Sequence, residues 1–139
     1  MIQIISGVKG KGKTKYLIKK ANDEVKNANG NIVYLDKNNK HMYELSNKIR
    51  LINLSEYPLD TYDALIGFIC GLISQDHDLE AMYLDSFLTI SSVSDEYIGF
   101  VLSKLKDISS RFNINFVISI SVDAEHMPDD FKDDIVISL

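Results

Sequence analysis

Eight consecutive residues near the start of the chain, Gly7-Val8-Lys9-Gly10-Lys11-Gly12-Lys13-Thr14, satisfy the pattern G-x-x-x-x-G-K-[ST] at every fixed position. These residue types suit one kind of chemistry, the holding of a polyphosphate. Gly7 and Gly12 let the backbone curl so that successive N–H groups, including those of Val8, Gly10 and Lys11, point inward at phosphate oxygens. Lys13 supplies a point charge to the β- and γ-phosphates, and the Thr14 hydroxyl is a hard oxygen ligand of the kind Mg²⁺ takes. A helix opening at Lys13 adds the positive end of its dipole. The pattern does not require Lys9, Lys11 or Lys15. They either extend the phosphate contact or form a solvated face.

A metal held between phosphates and protein also needs a carboxylate at the end of a buried strand. Ala81-Met82-Tyr83-Leu84-Asp85 has that form, an apolar run leading to an acid. Taken alone, an aspartate after a strand is a cap or turn residue. With the glycine-rich loop upstream, Asp85 is expected to share the metal with Thr14. His41, His77 and His126 stand apart, with no metal-ligand spacing, and are expected on the surface. Cys70 lies within an apolar helix and is expected to behave as a small core hydrophobe. The acidic run from Asp123 to Asp134 reads as a solvated face with capping residues.

The elements that must position these groups follow from hydrophobic periodicity. Ile2-Gln3-Ile4-Ile5 is a strand ended by Ser6-Gly7, and Leu17, Ala21, Val25 and Ala28 mark one face of a helix from Lys13 to Asn29. Further strands are expected at Ile32–Leu35, Leu51–Leu54, Ala81–Leu84, Ile114–Ser121 and Ile135–Ser138. The polar segment Lys37 to Ser46 holds at most one helical turn near Met42, Tyr43 and Leu45. A helix from Thr61 is apolar nearly all round, so something beyond the sheet is expected to cover it. A second begins after Ser94, read as its N-cap, and carries Ile98, Val101, Leu102, Leu105 and Ile108 at helical period. A short helix is expected near Pro128 to Lys132. Strands and helices alternate throughout. That order gives an α/β fold of three layers, a parallel sheet with helices on both faces. Ligands of such sheets sit beyond the carboxyl ends of the strands, where Gly7, Asp36, Asp85 and Ser121 all fall.

Composition sets the outer limits. The chain has 139 residues, 45% apolar, which suits one domain over residues 1–139. A single cysteine excludes an internal disulfide framework and paired-cysteine metal sites, and points to a cytoplasmic setting. Fifteen basic against twenty acidic residues, a net charge of −5, do not support a nucleic-acid coat. The longest uncharged apolar run, Ala64 to Ile73, covers about half a membrane span, so no membrane insertion is expected.

From Ile2 to Ser121 the sequence resembles the RecA-like ATPase class of P-loop NTPases, including recombinases and hexameric motor ATPases. The likeness rests on Gly7 to Thr14 as Walker A, on Val33-Tyr34-Leu35-Asp36, and on Tyr83-Leu84-Asp85-Ser86-Phe87-Leu88 as Walker B. The chain is also similar to short proteins labelled twitching-motility ATPase-like. The resemblance implies ATP and Mg²⁺ as cofactors, a RecA-like core and nucleotide hydrolysis. It implies too a polar residue sensing the γ-phosphate at the end of the fifth strand, where Ser119 and Ser121 stand, Ser121 the better placed.

The departures bear on catalysis. RecA-type enzymes polarise the attacking water with a glutamate near the end of the second strand. The matching residue here is Asn38, an amide and a very poor base. Other enzymes of the wider class carry an acid directly after the metal-site aspartate, where this chain has Ser86. Asp36 is the nearest substitute base. The long DNA-binding loops are missing, and nothing supports recombinase activity. The expected function is therefore ATP binding with Mg²⁺ and slow or partner-dependent hydrolysis to ADP and phosphate. A non-catalytic sensor, in which ATP orders Lys37 to Ser46 and changes affinity for a protein partner, is the alternative. A small phosphotransferase comes third, because a lid with arginines would be needed and only Arg50 and Arg111 exist. Either arginine is a candidate finger across a subunit boundary. A homo-oligomer is expected from the surplus apolar surface on the Ala64 to Ile73 helix.

Overall fold

Six short, mainly apolar runs form the strands of one sheet, and the inner ones bury side chains on both faces. The computed structural model describes all residues from Met1 to Leu139. Its strands are β1 (Ile2–Ser6), β2 (Asn31–Asp36), β3 (Ile49–Asn53), β4 (Leu79–Leu84), β5 (Asn115–Ile120) and β6 (Ile135–Ser138). The helices are α1 (Lys13–Val25), α2 (Tyr62–Ser74), α3 (Phe87–Ser91) and α4 (Ile98–Phe112). All strand pairs are parallel, in the order β3-β2-β4-β5-β1-β6.

That order decides which helix covers which face. The chain crosses the sheet one way from β1 to β2 through α1, and returns from β3 through β4 to β5 by way of α2 and α4. Right-handed crossovers in opposite directions put their helices on opposite faces. Leu17, Ile18 and Ala21 of α1 accordingly pack on Ile5, Ile32, Tyr34 and Tyr83. The other three helices share a core with Ile4, Leu35, Leu84 and Ile118. The cores are unequal, 11 buried residues against 25, since one helix covers the first face and three the second.

Several expectations change in detail. Helix α1 stops at Val25, four residues short of Asn29, because Asn27 and Asn29 are poor helix formers that favour turns. Lys37 to Ser46 holds turns and no helix; only Leu45 is anchored in the core, while Tyr43 is 92% exposed. Ser94 offers no side-chain cap: a 3-10 turn at Asp95–Tyr97 runs directly into α4. Helix α3 follows Asp85 within two residues and was hidden by its brevity. Near Pro128 the chain forms a 3-10 turn, Asp129–Asp134, pinned by buried Phe131.

Helix α2 corrects two readings. It buries Leu65, Ile69 and Ile73, and half-buries Tyr62, Ile66, Phe68 and Leu72 against the same core. Its remaining face, Gly67, Cys70, Gly71 and Ser74, is exposed. Cys70 is therefore a surface thiol, and nothing else in the chain covers that face. Eight apolar residues among ten leave periodicity too weak to say which side points outward. No helix is long and apolar enough to cross a membrane.

Candidate functional site: a cleft over the carboxyl ends of the strands

Strand β5 lies between β1 and β4, so the glycine-rich loop and Asp85 leave the sheet two strand spacings apart, roughly 9.5 Å. The loop after β1 leads to one face and the chain after β4 to the other. A crevice opens between them above β5, as it does wherever crossover direction reverses. The resulting cleft encloses about 390 Å³.

On the loop side it is lined by Lys9, Gly10, Gly12, Lys13 and Thr14. Gly10 and Gly12 hold φ of 91° and 84°, a left-handed backbone that side chains disfavour, and this brings the chain round into α1. Gly12 is the N-cap and has no side chain to satisfy the first-turn amides, nor does an acid stand there. Those N–H groups remain available to an anion. Lys13 is almost fully buried; its Nζ donates to the Val8 carbonyl across the loop at 3.1 Å. Burial pulls its ammonium below the usual lysine range, and the Asp85 charge opposes that. Val8, Lys11 and Lys15 are exposed and do not line the cleft.

The opposite side is built around Asp85. Its side chain, 2% exposed, accepts three hydroxyl donors from three elements: Thr14 Oγ1 of α1 at 3.1 Å and Ser119 Oγ of β5 at 2.8 Å on Oδ1, and the Tyr34 phenol of β2 at 2.7 Å on Oδ2. Ser86, next in sequence, has φ of 53° and donates its N–H to Ser119 Oγ at 2.9 Å. A non-glycine residue in that conformation costs roughly 1–2 kcal/mol. It turns the chain sharply into α3 and leaves the Asp85 carboxylate directed back toward Thr14. Burial and the Asp85 charge raise the Tyr34 phenol far above its ordinary value, so it remains a donor.

The oxygen set of Thr14 and Asp85 fits Mg²⁺, which takes one or two protein oxygens and completes its shell with water and phosphate. No group of three or more His, Cys, Asp or Glu side chains converges anywhere in the chain.

Other candidates fall differently. Ser119, not Ser121, carries the bond to Asp85; Ser121 is exposed at the rim and still lines the cleft. Asp36 closes β2 beside Asp85 but is buried behind the cleft wall. Its Oδ1 accepts the Lys37 N–H at 2.7 Å and its Oδ2 has no partner. Burial, then the Asp85 charge, pushes the Asp36 carboxyl above the usual range. Asn38 caps its own turn, accepting the Lys40 N–H at 2.9 Å, and does not line the cleft. Lys37 takes that place at the wall. Arg50 is on edge strand β3, and Arg111 is in the last turn of α4, at the opposite end of the sheet. His77 and His126 are exposed; His41 is half-buried and paired with Glu44.

Tyr34 and Lys37 were not anticipated. Period 2 puts Tyr34 on the face that Asp36 shares, but its bond to Asp85 depends on β2 pairing with β4. Lys37 carried no such signal. A second cleft, of about 290 Å³, adjoins the first and shares Lys37 and Thr89 with it. No protein-family model and no curated protein matches this chain.

Proposed function

We propose that the chain is a P-loop nucleotide-binding domain of the RecA-like class that binds ATP with Mg²⁺ and hydrolyses it slowly or only with a partner. One observation carries the reading. Thr14 and Asp85, 71 residues apart, meet at 3.1 Å beside a glycine-rich loop whose residues Lys9, Gly10 and Gly12 line the cleft. A hydroxyl and a carboxylate so placed can hold one Mg²⁺ between them while the loop amides and Lys13 take the phosphates. The metal, when bound, neutralises charge on the β- and γ-oxygens. The chain's own part is to position: Ser119 and Tyr34 fix the carboxylate, and Gly12 frees the first-turn amides.

Slow turnover follows from what lines the cleft. Asp85 is its single carboxylate, already committed to three hydroxyls. Without a base for the attacking water, the rate falls by about 10²–10⁴-fold relative to an enzyme that has one. The same feature favours the second reading, a sensor. Lys37 lines the cleft and begins the turn-rich segment running to Ser46, so a ligand there can order that segment.

Lys13→Ala tests the binding claim. Calorimetry should show ATP affinity weakened at least about tenfold, or roughly 1.4 kcal/mol. Unchanged affinity in a folded variant refutes the phosphate-loop reading. Phosphate release separates the two functional readings: slow but measurable turnover marks an ATPase, and none marks a sensor.

A further inference from the structure

The cleft has a direction. In a loop of this pattern the amides take the α- and β-phosphates, the lysine reaches the β- and γ-phosphates, and the hydroxyl would help hold a metal that neutralises their charge. Here those groups lie in turn over β1, on the first turn of α1, and at Asp85 after β4. A polyphosphate held this way extends across the sheet from β1 toward β4. The next strand in that direction is β2, and the residue at its end is Lys37.

Lys37 is held by its backbone and free at its tip. Its N–H is fixed on Asp36 Oδ1 at 2.7 Å, whereas its ammonium takes part in no ion pair or side-chain hydrogen bond. Thr89 of α3 faces the same space and its hydroxyl has no partner either. The two residues form the wall shared by the phosphate cleft and the adjoining one. Neither arginine comes near. Lys37 is therefore the one cation of this chain at the distal end of the cleft.

Resting on the nucleotide reading above, we propose that Lys37 and Thr89 form a terminal-phosphate subsite that makes the cleft select nucleoside triphosphates over diphosphates. A diphosphate would fill the loop, Lys13 and the metal position and leave Lys37 without a partner. The third phosphate would bring its oxygens to the ammonium and the hydroxyl. Charge-assisted hydrogen bonds of this kind are the strong ones, and this one is made only when the γ-phosphate is present.

The test is calorimetry with Mg²⁺, comparing ADP with an ATP analogue whose β,γ-bridge cannot be hydrolysed. Wild-type protein should prefer the analogue. Lys37→Ala should weaken the analogue about tenfold while ADP changes less than about twofold. Lys37→Arg should keep most of the preference, and Thr89→Ala should lower it in the same sense by a smaller factor. An equal loss for both nucleotides makes Lys37 a general attractor of anions and overturns the subsite. No loss for either nucleotide overturns it too. If Lys13→Ala weakens both ligands in the same series, the nucleotide reading stands although the subsite has fallen. Wild-type protein that binds neither nucleotide overturns that reading and the subsite together.

Discussion

Asp36 and Asp85 close adjacent strands, share one face of the sheet and are each 2% exposed, yet their surroundings are opposites. Asp85 is met by donors from α1, β2 and β5. Asp36 is met by one amide, that of the residue after it, and keeps an orphaned oxygen. A buried carboxylate is tolerable to the extent that donors replace the water it has lost. Asp85 is thus an acceptor fixed in place by donors from three elements. Asp36 is an acid whose charge is disfavoured where it stands, partly because Asp85 is charged beside it. Proximity to a cleft does not make an acid part of it.

Substitutions should widen or collapse this contrast. Asp85→Asn should have the largest effect. It turns one acceptor into a donor facing a phenol that also donates, and it removes the carboxylate proposed to meet Mg²⁺. Stability should fall by about 2–3 kcal/mol in urea titration. ATP affinity in Mg²⁺ should drop toward the value measured in chelator. Metal dependence that survives intact removes Asp85 from the metal position.

Tyr34→Phe comes next. It deletes one donor and leaves Oδ2 of Asp85 buried and unpaired, at a cost of about 2 kcal/mol. Thermal melts can check this. A neutral result would mean that the phenol bond is replaced by water and that Asp85 is less enclosed than its burial implies.

Asp36→Asn should be the smallest and of opposite sign. A carboxyl raised in the folded state contributes stability below its unfolded value, near 3.8, and loses it as pH climbs through the raised one. At pH 7 the folded protein therefore bears a penalty that the amide relieves. The variant should be more stable there by on the order of 1 kcal/mol, with the gain fading toward pH 4. An equal gain at both pH values, or a loss at pH 7, would mean that Asp36 finds a partner when ionised and would erase the contrast with Asp85.

Which parts of the site were legible follows from the range of the forces involved. The loop from Gly7 to Thr14 is a local device: its curvature depends on glycines within eight residues, so its sequence states its geometry. The strands were legible as short apolar runs between turn residues, although the third was read two residues late: β3 is Ile49–Asn53 and Leu54 opens a 3-10 turn. Alternation of elements carried the parallel sheet and its two helical layers. Helix ends were less plain, since Ser94 and Asn29 depend on whether a 3-10 turn or a helix is cheaper by fractions of a kcal/mol.

Tertiary structure decided the rest, because strand order is not written in any local segment. Placing β5 between β1 and β4 is what opens the crevice and brings Ser119 onto Asp85. Placing β2 beside β4 is what gives Asp85 the Tyr34 phenol, and what stands Asp36 next to a charge instead of in the cleft. Beyond β2, Asn38 closes a local turn on Lys40 N–H while Lys37 lines the cleft wall. Sequence alone named the groups proposed to hold phosphate and metal. Which carboxylate found donors depended on contacts between residues 34 to 71 positions apart, and those exist only once the sheet is assembled.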